Sequence, residues 1–239
     1  MALLGSVTER LARLDWAAIG AALDEHGHAK IPPLLTAAEC ATLAQLFPDP
    51  RRFRTVIDMA RYRFGVGEYR YFAAPLPPLV AALRTQAYRH LVPIANRWME
   101  RLGGSERYPE DLSSFLARCA AHGQSRPTPL LLRYAAGGYN CLHQDIYGAV
   151  AFPLQLTCML SRPGRDFTGG EFLLVEQRPR AQSRGEAIVL ARGEALIFAS
   201  RHRPVAGARG DYRVTLRHGV SRLHAGERLT LGVILHDAA

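Results

Sequence analysis

The stretch Tyr134-Ala-Ala-Gly-Gly-Tyr-Asn-Cys-Leu-His-Gln-Asp145, YAAGGYNCLHQD, sets an imidazole and a carboxylate two positions apart just after a pair of glycines. On a β-strand the side chains of residues i and i+2 point to one face, so His143 and Asp145 aim the same way. One short strand can therefore supply two ligands to a single ion. A His-x-Asp step by itself is more often a surface or structural feature, and a metal reading needs a third ligand from elsewhere. Two His and one carboxylate on one face of an ion form the set that holds ferrous iron with positions left open.

Outward from this stretch, the second informative segment is HGVSRLHAGERLTL (218–231). His218 is followed ten positions later by Arg228 and twelve later by Thr230. Arg228 and Thr230 are again i and i+2 on an extended run, presenting a guanidinium and a hydroxyl to one face. An arginine fork binds a carboxylate bidentately, so this pair suits a dicarboxylate that chelates iron through its other end.

The runs around these segments decide the architecture. After Pro127 they are short, extended and punctuated by glycine: 129–134, 152–160, 171–177, 187–191, 194–199, 211–220 and 228–235. Short strands without intervening helices make a sandwich or barrel. The first half reads as helical. WAAIGAALDEHG (16–27) ends at a capping glycine, and Thr36 to Glu39 has capping-box spacing. HAKIPPLL (28–35) reads as an extended edge, 79–104 as a long helix broken or kinked near Pro93, and 110–122 as a further helix. GEYRYF (67–72) alternates like a strand of a hairpin or a lid. The expected fold is mostly β with supporting helices. Residues 1–125 form a helical support, and 126–239 a β-sandwich or jelly-roll core, in one structural domain.

The order HxD, then His and VxxxxxGxRxTL, resembles the Fe(II)- and 2-oxoglutarate-dependent dioxygenases, whose fold is a double-stranded β-helix, the cupin-like jelly roll. The resemblance implies that His143, Asp145 and His218 hold Fe(II). It implies that Arg228 binds the far carboxylate of 2-oxoglutarate, with Thr230 and Tyr134 assisting. Such an enzyme uses O2 to hydroxylate a C–H bond and releases succinate and CO2. FTGGEF (167–172) is similar to a glycine turn in prolyl-hydroxylase-type members. The spacing departs from the family pattern. His218 lies twenty residues beyond Phe198, so an insertion must be accommodated, and His202 is a nearer alternative whose following Arg213 and Thr215 fall one position out of phase. His202, His224 and His236 are read as surface or supporting residues.

For the substrate, RYAAGGYNCLHQD (133–145) is similar to the RYxxGxxxxLHQD segment of AlkB-like enzymes, which oxidatively remove alkyl groups from damaged bases. Those enzymes carry Asn where this chain has Leu132, and a second arginine where it has Ile234. The net charge of +9 and pI near 9.9 also suit nucleic acid. Twenty-nine of the thirty basic residues are Arg, though, as a GC-rich coding sequence would give. Arg178, Arg180 and Arg184 lie in a loop-like stretch suited to phosphate contacts, and Tyr139 or Tyr147 could stack on a flipped base.

Three alternatives stand beside this reading: a prolyl-hydroxylase-like protein or small-molecule hydroxylase, a non-catalytic jelly-roll binding module, and a zinc hydrolase. The last has no use for Arg228 and Thr230. No apolar run has the length of a membrane span, and the opening segment meets Glu9 and Arg10 too early for a secretory signal, so a cytoplasmic protein is expected. Cys40, Cys119, Cys141 and Cys158 lack CxxC spacing and are expected to be reduced and mostly buried.

Overall fold

Polar caps start four of the five helices in residues 5–239, the part of the chain that the computed structural model describes. The first four residues of the opening segment lie outside it. Ser6 caps α1 (Val7–Ala12), Asp15 caps α2 (Trp16–His26), Thr36 caps α3 (Ala37–Leu46) and Asp111 caps α5 (Leu112–Ala121), with α4 (Pro78–Arg101) between the last two. The box expected at Thr36 is present: its hydroxyl accepts from Glu39 N at 3.1 Å, and Glu39 accepts from Thr36 N at 2.7 Å. Gly27 closes α2 in the left-handed conformation.

Of the two outcomes expected at Pro93, a break does not occur: α4 runs through it as one helix. Its missing N–H would have served the carbonyl of Arg89, and both residues lie on the exposed face, where water can replace the bond. Val92, Ile94, Ala95 and Trp98 hold the helix down from its buried side. Among the described residues, no helix is long and apolar enough to cross a membrane.

Fourteen strands follow in chain order. The first seven are β1 (His28–Ile31), β2 (Phe53–Asp58), β3 (Gly65–Val66), β4 (Glu68–Phe72), β5 (Leu130–Ala135), β6 (Tyr139–His143) and β7 (Leu154–Met159). Then come β8 (Phe167–Gly169), β9 (Phe172–Gln177), β10 (Arg184–Ile188), β11 (Ala195–Ala199), β12 (His202–Gly207), β13 (Gly210–Val220) and β14 (Leu223–Val233). The larger sheet runs β1-β11-β7-β14-β5-β4-β2, with β8 on β14. The smaller runs β10-β9-β13-β6-β3, with β12 on β13. Every pairing between named strands is antiparallel. This is the jelly roll expected from the run of short strands, and β1 is an edge as its prolines suggested.

The first half is less purely helical than its sequence suggests. β1, β2 and β4 join the larger sheet and β3 the smaller one. Most of the nineteen residues between Phe198 and His218 form the hairpin of β12 and β13, which accommodates the insertion without displacing β13 from its neighbours. Buried Arg203 ties that hairpin down, bonding Glu176 at 2.5 and 2.9 Å and the Asp24 carbonyl at 2.6 Å.

The two sheets meet through Phe172 of β9 and Phe198 of β11, with ring centroids 4.7 Å apart. Tyr88, Tyr108, Phe115 and Phe152 form an aromatic cluster joining α4 and α5 to the strands, with centroids 4.9–5.7 Å apart. Phe152→Ala is expected to destabilise the protein by about 3–5 kcal/mol through the cavity it leaves, read as a fall in the thermal midpoint.

Candidate metal centre

His143 ends β6, and its backbone partner across the antiparallel ladder is His218 of β13. Two candidate ligands distant in sequence are thereby fixed by one strand pairing. The ring centroids are 4.2 Å apart. Asp145 lies just past the end of β6 and turns its carboxylate between the rings, with Oδ2 3.1 Å from His218 Nε2 and Oδ1 3.5 Å from His143 Nε2. One ligand atom from each residue lies within 4.8 Å of the other two. The ladder slips immediately after His218, at Gly219. A Cβ on Gly219 would sit 2.6 Å from the Asn140 carbonyl, so this close approach requires glycine.

The neighbours orient both imidazoles. His143 Nδ1 lies 2.8 Å from the Cys141 carbonyl, which fixes the proton on that nitrogen and leaves Nε2 as the lone-pair donor. His218 is buried, stacked on Phe172 at 5.7 Å and 8° and set against Phe198 at 4.8 Å. Burial raises the pKa of Asp145, but the charges and hydrogen bonds of His218 and His143 outweigh it and hold the carboxyl well below its usual range. Desolvation and the neighbouring His143 push His218 down. For His143, desolvation is outweighed by Asp145, and its pKa is raised. The triad thus turns an ionised carboxylate and two imidazole nitrogens to one point, and a metal binding there would displace the proton that Asp145 favours on His143.

Tyr147, considered in the sequence as a base-stacking ring, takes a different part in the site. Its hydroxyl donates to Asp145 Oδ1 at 2.6 Å, which commits a residue considered for base stacking to fixing a carboxylate. The i+2 spacing from Asp145 was visible in the sequence, but the contact depends on how the chain turns after β6. Tyr147→Phe is expected to weaken iron binding about 10-fold, the low end for losing an outer partner of a metal ligand, as measured by anaerobic Fe(II) titration.

Across the cavity, Arg228 of β14 pairs in register with Tyr134 of β5, and Thr230 pairs with Leu132 and Met159. Tyr134, Arg228, Thr230 and the triad all line one cavity of about 370 Å³. Arg228 is buried, and its Nε has no hydrogen-bond partner among the described residues. Desolvation, only partly offset by Tyr134 and Glu171, pushes its pKa down to about 10. A buried guanidinium lacking a partner carboxylate is unfavourable as it stands and becomes favourable when an anion fills the fork. The residues therefore fit a ferrous ion together with a 2-oxo dicarboxylate spanning from the triad to Arg228.

The second glycine of FTGGEF shapes this pocket. Gly170 has φ +67°, and a Cβ there would lie 2.6 Å from Leu223 Cδ1 and 3.0 Å from Arg228 Cδ. Gly170→Ala is expected to cost about 1–3 kcal/mol in stability and to raise the KM for 2-oxoglutarate by displacing the Arg228 stem, both measurable on the purified variant.

The remaining candidates lie away from this point. His202 sits in β12 opposite Thr215, its Nδ1 3.4 Å from the Thr215 hydroxyl. His236 is buried, accepts from Phe152 N at 3.3 Å and is outside the triad, while His224 is exposed. Neither Tyr139 nor any of Arg178, Arg180 and Arg184 lines the cavity. Arg178 is held by Glu176 at 2.7 Å, and Arg184 begins β10 rather than closing a loop. GEYRYF supplies β4, from which Tyr69 reaches the cavity wall. All four cysteines are free thiols, and Cys141 alone is exposed.

Comparison with known proteins agrees with this geometry. Residues 67–238 match the model of a family described as "Oxygenase, catalysing oxidative methylation of damaged DNA". The chain is 48% identical over 168 residues to uncharacterized proteins of two Mycobacterium tuberculosis strains, covering 70% of this chain and 72% of theirs. The chain belongs to this oxygenase family. Among solved structures, it resembles a Pseudomonas putida prolyl-4-hydroxylase, with TM-score 0.55, 16% identity and coverage of 91% and 96% of the two chains. It also resembles a 2OG-Fe(II) oxygenase family oxidoreductase from Burkholderia pseudomallei, with TM-score 0.55, 16% identity and coverage of 95% and 94%. At such identity these structures establish the fold, which is that of the Fe(II)- and 2-oxoglutarate-dependent oxygenases.

Proposed function

We propose that this oxygenase uses Fe(II), 2-oxoglutarate and O2 to remove alkyl groups from damaged nucleic-acid bases. His143, Asp145 and His218 hold the iron, and Arg228, assisted by Thr230 and Tyr134, anchors the far carboxylate of 2-oxoglutarate. When bound, iron and keto acid supply the oxidising chemistry that turns C–H into C–OH, with release of succinate and CO2. The chain contributes placement. Tyr147 fixes the Asp145 carboxylate, Phe172 and Phe198 clamp the His218 ring, and the apolar wall of Leu130, Leu156 and Ile234 limits water around the reacting carbon.

The atom balance gives the direction of the reaction. An oxygenase inserts oxygen and cannot add a methyl group, so its action on a methylated base is removal. The N–CH3 group becomes N–CH2OH, which releases formaldehyde and restores the N–H. The observation that carries the proposal is the convergence of a two-His, one-Asp set and an unpartnered buried arginine in one cavity, in a member of a damaged-DNA oxygenase family.

The likeness to a prolyl-4-hydroxylase fold supports a second reading, hydroxylation of a protein side chain by the same site. Incubation with an N-methylated oligonucleotide and, separately, with a proline-containing peptide, following succinate in each, distinguishes the two. Turnover on the oligonucleotide is expected. Turnover on the peptide alone would remove the nucleic-acid reading.

A further inference from the structure

The rim of the cavity carries a surface that the triad and the keto-acid pocket do not explain. Four of the six large hydrophobic side chains exposed among the described residues stand together there: Tyr62 at 56%, Phe64 at 46%, Val66 at 45% and Leu142 at 44%. β3 brings them together by pairing Val66 with Tyr139 of β6, and Cys141 N donates to the Phe64 carbonyl at 2.8 Å. Phe64 and Leu142 line the same cavity as His143. Tyr62 and Phe64 stack on each other, with centroids 5.5 Å apart and planes 19° apart.

The segment is also built to hold its shape. A short 3-10 turn, Met59–Tyr62, is capped by Asp58, which accepts from Ala60 N at 3.1 Å, and buried Met59 pins it to the cavity wall. Arg63 follows at φ +60°, a left-handed conformation that glycine or asparagine would adopt with less strain. Backbone bonds from Phe64 N to the Met59 carbonyl (3.0 Å) and from Met59 N to the Gly67 carbonyl (3.0 Å) close the loop. Strain retained in a rigid rim beside a reaction cavity points to use of the residues it displays.

Arg61 and Arg63 alternate with the two aromatic residues along the chain, and neither makes an ion pair among the described residues. The neighbouring carboxylates are occupied elsewhere: Asp58 caps the turn, and Glu68 serves Arg70 and Arg133. The rim therefore offers flat apolar faces interleaved with two cations that no carboxylate pairs among the described residues. Bases stack on aromatic faces while phosphates neutralise guanidinium groups, which is the recognition chemistry of an unpaired nucleic-acid strand.

We infer that Tyr62, Phe64, Arg61 and Arg63 form a docking rim for single-stranded nucleic acid, the aromatic pair stacking a base beside the one presented to the iron site. This rests on the nucleic-acid reading proposed above. None of the four belongs to the buried core, so substituting them leaves the core packing in place.

Fluorescence anisotropy tests the rim with the full chain, Fe(II) and 2-oxoglutarate under anaerobic conditions and a labelled single strand carrying one N-methylated base. The Tyr62→Ala/Phe64→Ala variant is expected to bind at least about 10-fold more weakly. Tyr62→Phe/Phe64→Tyr, which keeps both rings, should stay within about twofold. Arg61→Ala/Arg63→Ala should lower the slope of log affinity against log salt by about two. Val189→Ala, equally exposed but remote from the rim, should bind as the unaltered protein does. If the unaltered protein turns over the strand and the alanine double variant binds it equally well, the rim is wrong and the dealkylation reading survives. If the unaltered protein neither binds nor turns over the strand, both fall. If the variants lose turnover on a proline-containing peptide and not on the strand, the rim serves a peptide and the inference is overturned.

Discussion

Asp145→Ala is expected to weaken Fe(II) binding by more than about 100-fold and to abolish succinate formation, since losing even an outer partner of a ligand costs 10–100-fold. Asp145 brings the only negative charge of the triad, and it stands 3.1 Å and 3.5 Å from the two imidazoles of the proposed iron site. Without it, two neutral nitrogens face a dication with nothing to balance the charge. The fold should survive, because β6 and β13 are joined by backbone bonds that do not involve this side chain. Anaerobic Fe(II) titration and circular dichroism of the variant separate these effects. Iron affinity within threefold of the unaltered protein would show that Asp145 is not a ligand.

Arg228→Met should act in opposite directions on catalysis and stability. Truncating one partner of a buried charge pair costs about 3–5 kcal/mol, so the KM for 2-oxoglutarate should rise more than about 100-fold. In the ligand-free protein there is no pair to break. The guanidinium is buried, unpartnered at Nε and pushed down to about 10 by desolvation. Replacing it with an apolar chain of similar length should raise the thermal midpoint by roughly 2–4 °C, the equivalent of about 1 kcal/mol for a chain of this size. Added 2-oxoglutarate should stabilise the unaltered protein and leave the variant unchanged, because only a ligand that binds the native state shifts its midpoint. A variant that loses stability and keeps its 2-oxoglutarate KM would remove Arg228 from the cofactor site.

The chemistry of the site was legible in the sequence wherever it depends on short spacing. HQD placed two candidate ligands on one side of a strand end, and RLT placed a guanidinium and a hydroxyl two positions apart on one strand. The choice between His202 and His218 was also readable, since only His218 keeps Arg228 and Thr230 in phase, and the structure puts His218 opposite His143. The reason for the long gap before His218 was not readable. HRPVAG begins with a proline-containing run that does not alternate cleanly, and it becomes β12 only because β13 offers it a partner and Arg203 finds Glu176.

The same physics hid β2. FRTVID carries two charges and buries mainly Phe53, so its strand character comes from pairing with β4. Tyr147 and Gly170 became interpretable only when the turns after β6 and β8 brought them against Asp145 and Arg228. Whether Pro93 would end α4 was not readable, because proline's effect on a helix depends on whether the carbonyl it orphans faces core or water, which periodicity alone does not reveal.

Anaerobic titration of the purified protein with Fe(II) and 2-oxoglutarate, followed by visible absorption, tests the central claim most directly. Convergence of His143, Asp145 and His218 on an ion chelated by an Arg228-anchored keto acid should give a weak charge-transfer band that saturates at one iron per chain, appears only when both components are present, and is lost in Asp145→Ala. A blank spectrum at saturating iron and keto acid, or a band undiminished in Asp145→Ala, would contradict it.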